Sequence, residues 1–115
     1  MKPKRGPERV AVEWRTNIRR NGATIGGRAL DVSKTGILLI MGGRVRVGEL
    51  VEVDMITGKN SFCRATARIV REAFKIDGKT AYGVRFVDMM RMDQETLSAA
   101  ISAANPRPVR AVLLG

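Results

Sequence analysis

The sequence predicts an all-β fold, a six-stranded antiparallel β-barrel with one C-terminal α-helix. Three observations lead there. Apolar residues recur at every second position in short stretches, as half-buried strands require. Asn-Gly and Asp-Gly pairs stand between such stretches, and both favour hairpins. After Asp88 the apolar spacing changes to i, i+4, which is helical. Short strands joined by tight turns close into a barrel, and closure removes exposed edges. The chain has 115 residues, 44% of them apolar. That is one domain's worth of chain with material for one small core.

The elements follow in order. Residues 1–8 hold Pro3, Gly6, Pro7 and mostly charge, and are expected to form a flexible basic arm. Val10, Val12, Trp14, Thr16 and Ile18 alternate with polar or small residues and form the first strand. Asn21-Gly22 turns it into a second, from about Ala23 to Val32, where Gly26-Gly27 predicts a bulge or a sharp bend. Asp31 to Gly36 is rich in turn formers and interrupts the pattern. Ile37 to Met41 is the third strand and Leu50 to Ile56 the fourth. In the fifth, Ser61 to Glu72, Cys63, Ala65, Ala67 and Ile69 oppose Arg64, Thr66 and Arg68. Asp77-Gly78 leads into the sixth, Thr80 to Val87, with Tyr82, Val84 and Phe86 on its apolar face. Asp93 is read as the helix cap, Leu97 and Ile101 as its buried stripe, and Asn105-Pro106 as its stop. The barrel and helix thus occupy residues 9–104. Residues 105–115 form a tail, either docked through Val112-Leu113-Leu114 or disordered.

Composition excludes much chemistry. There is no His and a single Cys, so no His-based catalytic base, His metal site, disulfide framework or CxxC pair exists. Ser33 has no His to activate it, and no carboxylate sits in a catalytic motif. The chain is read as a non-enzyme with no catalytic residue, no metal and no cofactor. It lacks both an apolar run long enough to span a membrane and an N-terminal apolar leader, so a cytoplasmic setting is expected.

Charge points to an anionic partner. Lys and Arg number 21 against 11 Asp and Glu, a net charge of +10. Lys2, Lys4, Arg5, Arg9, Arg15, Arg19 and Arg20 crowd the first twenty residues against only Glu8 and Glu13. Two patterns stand at strand boundaries. Arg5-Gly-Pro-Glu-Arg9 puts two guanidiniums four residues apart, and each matches a phosphate or the O6/N7 edge of guanine. Asp31-Val-Ser-Lys-Thr-Gly36 offers a carboxylate for guanine's donor edge, a hydroxyl, and a glycine that allows close approach. Alone, the second pattern also reads as an ordinary Asx or serine turn.

Taken together and in this order, Arg5-x-x-x-Arg9 and Asp31-x-Ser33-x-x-Gly36 resemble the two-part signature of the bacterial PilZ domain family. Ala81-Tyr-Gly-Val-Arg-Phe86 is similar to that family's last barrel strand. The likeness spans about residues 4–104. It implies a six-stranded barrel with a C-terminal helix, and binding of cyclic di-GMP, two guanines on a ring closed by two phosphodiesters. It implies ligand contacts from Arg5 and Arg9 over the dinucleotide and from Asp31, Ser33 and Gly36 beneath it. The nature of the residue before Arg5, here Lys4, leaves the number of bound messengers open.

The expected mechanism is ordering of the arm by the ligand, with the altered surface presented to a downstream protein. Ordering about six residues costs roughly 6–12 kcal/mol. Charge-assisted hydrogen bonds of about 1.5–3 kcal/mol each can offset this. Two alternatives stand beside this reading: a PilZ-like adaptor acting without the messenger, and a basic barrel binding nucleic acid. The second is disfavoured because Trp14, Tyr82 and Phe86 fall on core faces, where they cannot stack on bases.

Overall fold

A computed structural model describes residues 8–104. The strands are β1 (Val10–Arg20), β2 (Ala23–Val32), β3 (Gly36–Met41), β4 (Leu50–Gly58), β5 (Ser61–Ile76) and β6 (Lys79–Asp88), followed by helix α1 (Arg91–Ala104). They form a closed antiparallel barrel in the order β1-β2-β3-β6-β5-β4, completed by β1 pairing with β4. The expected all-β class, strand count and single helix are those observed. Arg5 with the rest of the arm up to Pro7, and the tail from Asn105, lie outside the described residues.

The hairpin turns follow from local chemistry. Asn21 and Gly22 have φ of 50° and 80°, and Asp77 and Gly78 have 51° and 75°. Two successive positive φ values are what a two-residue turn needs to match strand twist, and Asn-Gly and Asp-Gly tolerate them.

The core forms where inward-facing positions meet. Ile18, Val32, Ile37, Leu39, Val53, Met55 and Ile69 are fully buried. Burying side chains of this kind contributes about 1.5–3 kcal/mol each. Large residues on β4 meet small ones on β5: Val51 pairs with Ala67, Val53 with Ala65 and Met55 with Cys63. This alternation of sizes lets the barrel interior fill without voids. Trp14 and Phe86 are partly buried against the core and Tyr82 is buried within it. The hydroxyl of Thr16, on an inward position of β1, is buried without a hydrogen-bond partner among the described residues.

Two local expectations are corrected. Gly26-Gly27 produces no register shift, since Asn17 and Thr16 pair regularly with Gly26 and Gly27. Gly27 is instead required for space, because a Cβ there would lie 2.8 Å from the carbonyl oxygen of Ile40. β2 instead carries an extra residue at Leu30 in its pairing with β3, while in the β1–β2 pairing the extra residue lies on β1, between Ala11 and Trp14. Asp93, expected as the helix cap, lies inside a helix that already begins at Arg91. Its Oδ1 accepts the backbone N–H of Arg64 at 3.1 Å. β6 reaches along β5 only as far as Thr66, so Asp93 takes the place of a strand carbonyl there. It ties α1 to β5, on which the helix packs with Leu97 buried in the core.

Candidate functional site

The bulge at Leu30 builds the site. Ala29 and Val32 both point inward and are fully buried, three positions apart, so the period of two breaks between them. The extra residue turns Asp31 toward the outer face of the barrel, a common use of bulges beside functional positions. Asp31 pairs with Ala11 on β1 and Leu38 on β3.

Arg9 precedes β1 directly and reaches this carboxylate. Its Nε donates to Asp31 Oδ1 at 2.8 Å, across 22 residues of sequence. The side chains are 46% and 29% exposed. A pair this open is worth at most about 1 kcal/mol, so an incoming ligand can compete for either partner.

Ser33 and Gly36 hold the turn behind them. Ser33 is fully buried. Its Oγ accepts the Thr35 N–H at 3.1 Å and lies 3.2 Å from Thr35 Oγ1. Its own N–H donates to the Gly36 carbonyl at 2.9 Å. Gly36 stands where β3 meets β6. A Cβ there would lie 2.2 Å from the Val84 carbonyl oxygen, so no other residue permits this approach.

Arg9, Asp31 and Gly36 border an open groove of about 620 Å³ on the outer face, lined also by Leu38, Arg71 and Arg85 among others; Ser33, fully buried, does not line it. Arg71 and Arg85 form no ion pair among the described residues. Three guanidiniums against one carboxylate leave the groove attractive to anions. On the β1–β4–β5 side several charges pair with one another. Asp54 receives Arg19 at 2.5 Å and Arg64 at 2.7 Å. Its partial burial would raise its pKa, but hydrogen bonds from Arg64 and Arg19 outweigh that and hold it below the usual value.

Sequence reading did not single out Arg71, Arg85 or Gly83 as groove residues. Gly83, within Ala81–Phe86, carried a signal, because a glycine inside a strand marks close approach. Arg71 carried none, since its place depends on a register shift between Ile69 and Arg71. Cys63 is fully buried, and burial, with Asp93 and Asp54 adding to it, pushes its thiol up to about 12. It therefore stays protonated and packs as a small apolar residue. Among the described residues no cluster of His, Cys, Asp and Glu could hold a metal, and no helix is long and apolar enough to cross a membrane.

The fold and groove define a class: a small closed antiparallel barrel with an anion-attracting outer face beside an Asp-x-Ser-x-x-Gly turn. Residues 3–103 match the family described as the PilZ domain, and the chain belongs to that family. Among solved structures it is similar to the PilZ domain with c-di-GMP of YcgR from Escherichia coli, at 16% identity and a TM-score of 0.72, covering 89% of this chain and 92% of that one. It is also similar to the Bacillus subtilis inhibitor of motility MotI/DgrA, at 15% identity and a TM-score of 0.72, covering 97% of this chain and 52% of that one. The chain therefore spans about half the length of the latter. No curated protein sequence matches it.

Proposed function

We propose that this PilZ domain is a cyclic di-GMP receptor, with Arg5, Arg9, Asp31, Ser33 and Gly36 as its ligand-binding residues. The observation that carries the reading is the 2.8 Å contact of Arg9 Nε with Asp31 Oδ1. It unites the two halves of the signature at one edge of a cationic groove. The PilZ domain of YcgR, with which this chain shares its fold, holds c-di-GMP.

The division of labour follows from burial. Arg9 exchanges its Asp31 partner for a ligand phosphate, which frees the carboxylate for the N1–H and N2–H of a guanine. Arg5, four residues earlier, adds a second guanidinium from above. Ser33 and Gly36 act mainly by keeping the turn in shape, and Gly36 lets the ligand approach the backbone closely. No bond is made or broken. The output is an altered surface, basic arm included, offered to a downstream protein in the bacterial cytoplasm.

Isothermal titration with cyclic di-GMP, with GTP and cyclic di-AMP as controls, tests the proposal. Wild-type protein should bind cyclic di-GMP at micromolar or better affinity and the controls far more weakly. Arg9→Ala and Arg5→Ala should abolish or severely weaken binding. The Arg9 variant should unfold within about 1 kcal/mol of wild type, as loss of an open ion pair predicts. Wild-type affinity in both variants would remove the assignment.

A further inference from the structure

One row of residues crosses four strands at a single height on the outer face. Asp31 on β2 pairs with Leu38 on β3, Leu38 with Gly83 on β6, and Gly83 with Arg71 on β5. Gly83 lies between Tyr82 and Val84, both buried and inward, so it and Arg71 belong to the outer side.

The Arg71 side chain does not stand away from its own strand. A Cβ on Gly83 would meet Arg71 Cγ at 3.2 Å, Nε at 3.3 Å and Cζ at 3.5 Å. The guanidinium therefore lies across the bare backbone of Gly83, one strand nearer to Asp31. Strands sit about 4.8 Å apart, so the Asp31 and Gly83 backbones lie about 10 Å apart, with the carboxylate over one side of that span and the guanidinium over the other. That is the width of one flat base with a hydrogen bond of about 2.9 Å at each edge. Leu38, partly exposed, forms an apolar floor between them. The Asp31 Oδ2 has no hydrogen bond among the described residues, and Arg71 has no carboxylate partner there.

We propose that Arg71 is the far wall of a guanine subsite. One guanine lies over Leu38, its N1–H and N2–H toward Asp31 and its O6 and N7 gripped by the fork of Arg71. This inference rests on the reading of the groove as a cyclic di-GMP site. Both edges of the base are then read by fixed groups of opposite polarity, a match that adenine, with an amino group at position 6, does not make. Gly83 belongs to the same device, because only a residue without a side chain lets Arg71 lie down.

The experiment is calorimetric titration of wild type, Arg71→Ala, Arg71→Lys and Gly83→Ala. Each is titrated with cyclic di-GMP and with its 7-deazaguanine analogue, which lacks the N7 acceptor. Wild type should prefer the natural ligand by about tenfold or more, the range of one well-placed bidentate contact. Arg71→Ala should bind cyclic di-GMP at least tenfold more weakly and no longer discriminate between the two. Arg71→Lys should keep part of the affinity through its charge but lose discrimination, since an ammonium has no fork. Gly83→Ala meets only the flexible Arg71 side chain, so it should unfold like wild type and bind like Arg71→Ala. Unchanged affinity in Arg71→Ala, or discrimination kept in it, would overturn the inference while the receptor reading stands. Failure of wild type to bind cyclic di-GMP would remove both.

Discussion

Replacing Gly36 by Ala tests whether the signature glycine is first a structural requirement. The new methyl would lie 2.2 Å from the Val84 carbonyl oxygen, where ordinary contact begins at 3.4 Å. The atom in the way is backbone, so no rotamer change relieves the clash. β3 and β6 must separate by more than an ångström at their Gly36–Arg85 end. Two hydrogen bonds anchor that end: Phe86 N–H to the Thr35 carbonyl at 2.8 Å and Ser33 N–H to the Gly36 carbonyl at 2.9 Å. Overpacking costs about 1–3 kcal/mol and each weakened bond about 0.5–1.5 kcal/mol. The expected loss is about 2–6 kcal/mol, a large share of the roughly 5–15 kcal/mol that holds a domain folded. At about 4–8 °C per kcal/mol, the melting temperature should fall by more than about 8 °C. Urea unfolding of ligand-free protein, followed by Trp14 fluorescence and circular dichroism, measures it. A variant within 0.5 kcal/mol of wild type, on the order of a neutral surface substitution, would refute the packing argument.

Two further predictions concern the scaffold. Asp54 has a depressed folded pKa, so its contribution to stability is present above its unfolded value and is lost as pH falls through the lower folded one. Stability should drop from about pH 4 downward, and Asp54→Asn, less stable at neutral pH, should converge on wild type in acid. A difference independent of pH in urea melts from neutral to acid conditions would contradict the assignment to Arg19 and Arg64. Thr16→Val removes a buried hydroxyl that has no partner among the described residues. It should stabilise the protein by about 1 kcal/mol, read by the same unfolding assay; a loss of stability would mean that the hydroxyl is satisfied.

The candidate site was legible in proportion to how local each feature is. Asp31, Ser33 and Gly36 stand at and on either side of the short β2–β3 connection, and their residue types announce it. Arg9 was legible only together with that turn, since an Arg-x-x-x-Arg pattern is weak in a chain of net charge +10. Arg71 was illegible because outward arginines recur along β5, at Arg64, Arg68 and Arg71, and nothing in their spacing tells which one faces the groove. The missed bulge had a faint signal in Ala29 and Val32, two core residues out of phase, but the glycine pair nearby was the louder one.

What the sequence determined by itself was short-range: which stretches alternate, where positive φ is tolerated, where the period changes to helical, and which signature the chain carries. These depend on a residue and its near neighbours. Closure of β1 onto β4, the outward turn of Asp31, the 22-residue reach of Arg9 and the resting place of Arg71 over Gly83 were decided only by the tertiary structure. Each depends on cross-strand register, and register is set by all the core side chains packing at once. One residue inserted in a strand moves every later side chain to the opposite face, so these facts have no local code.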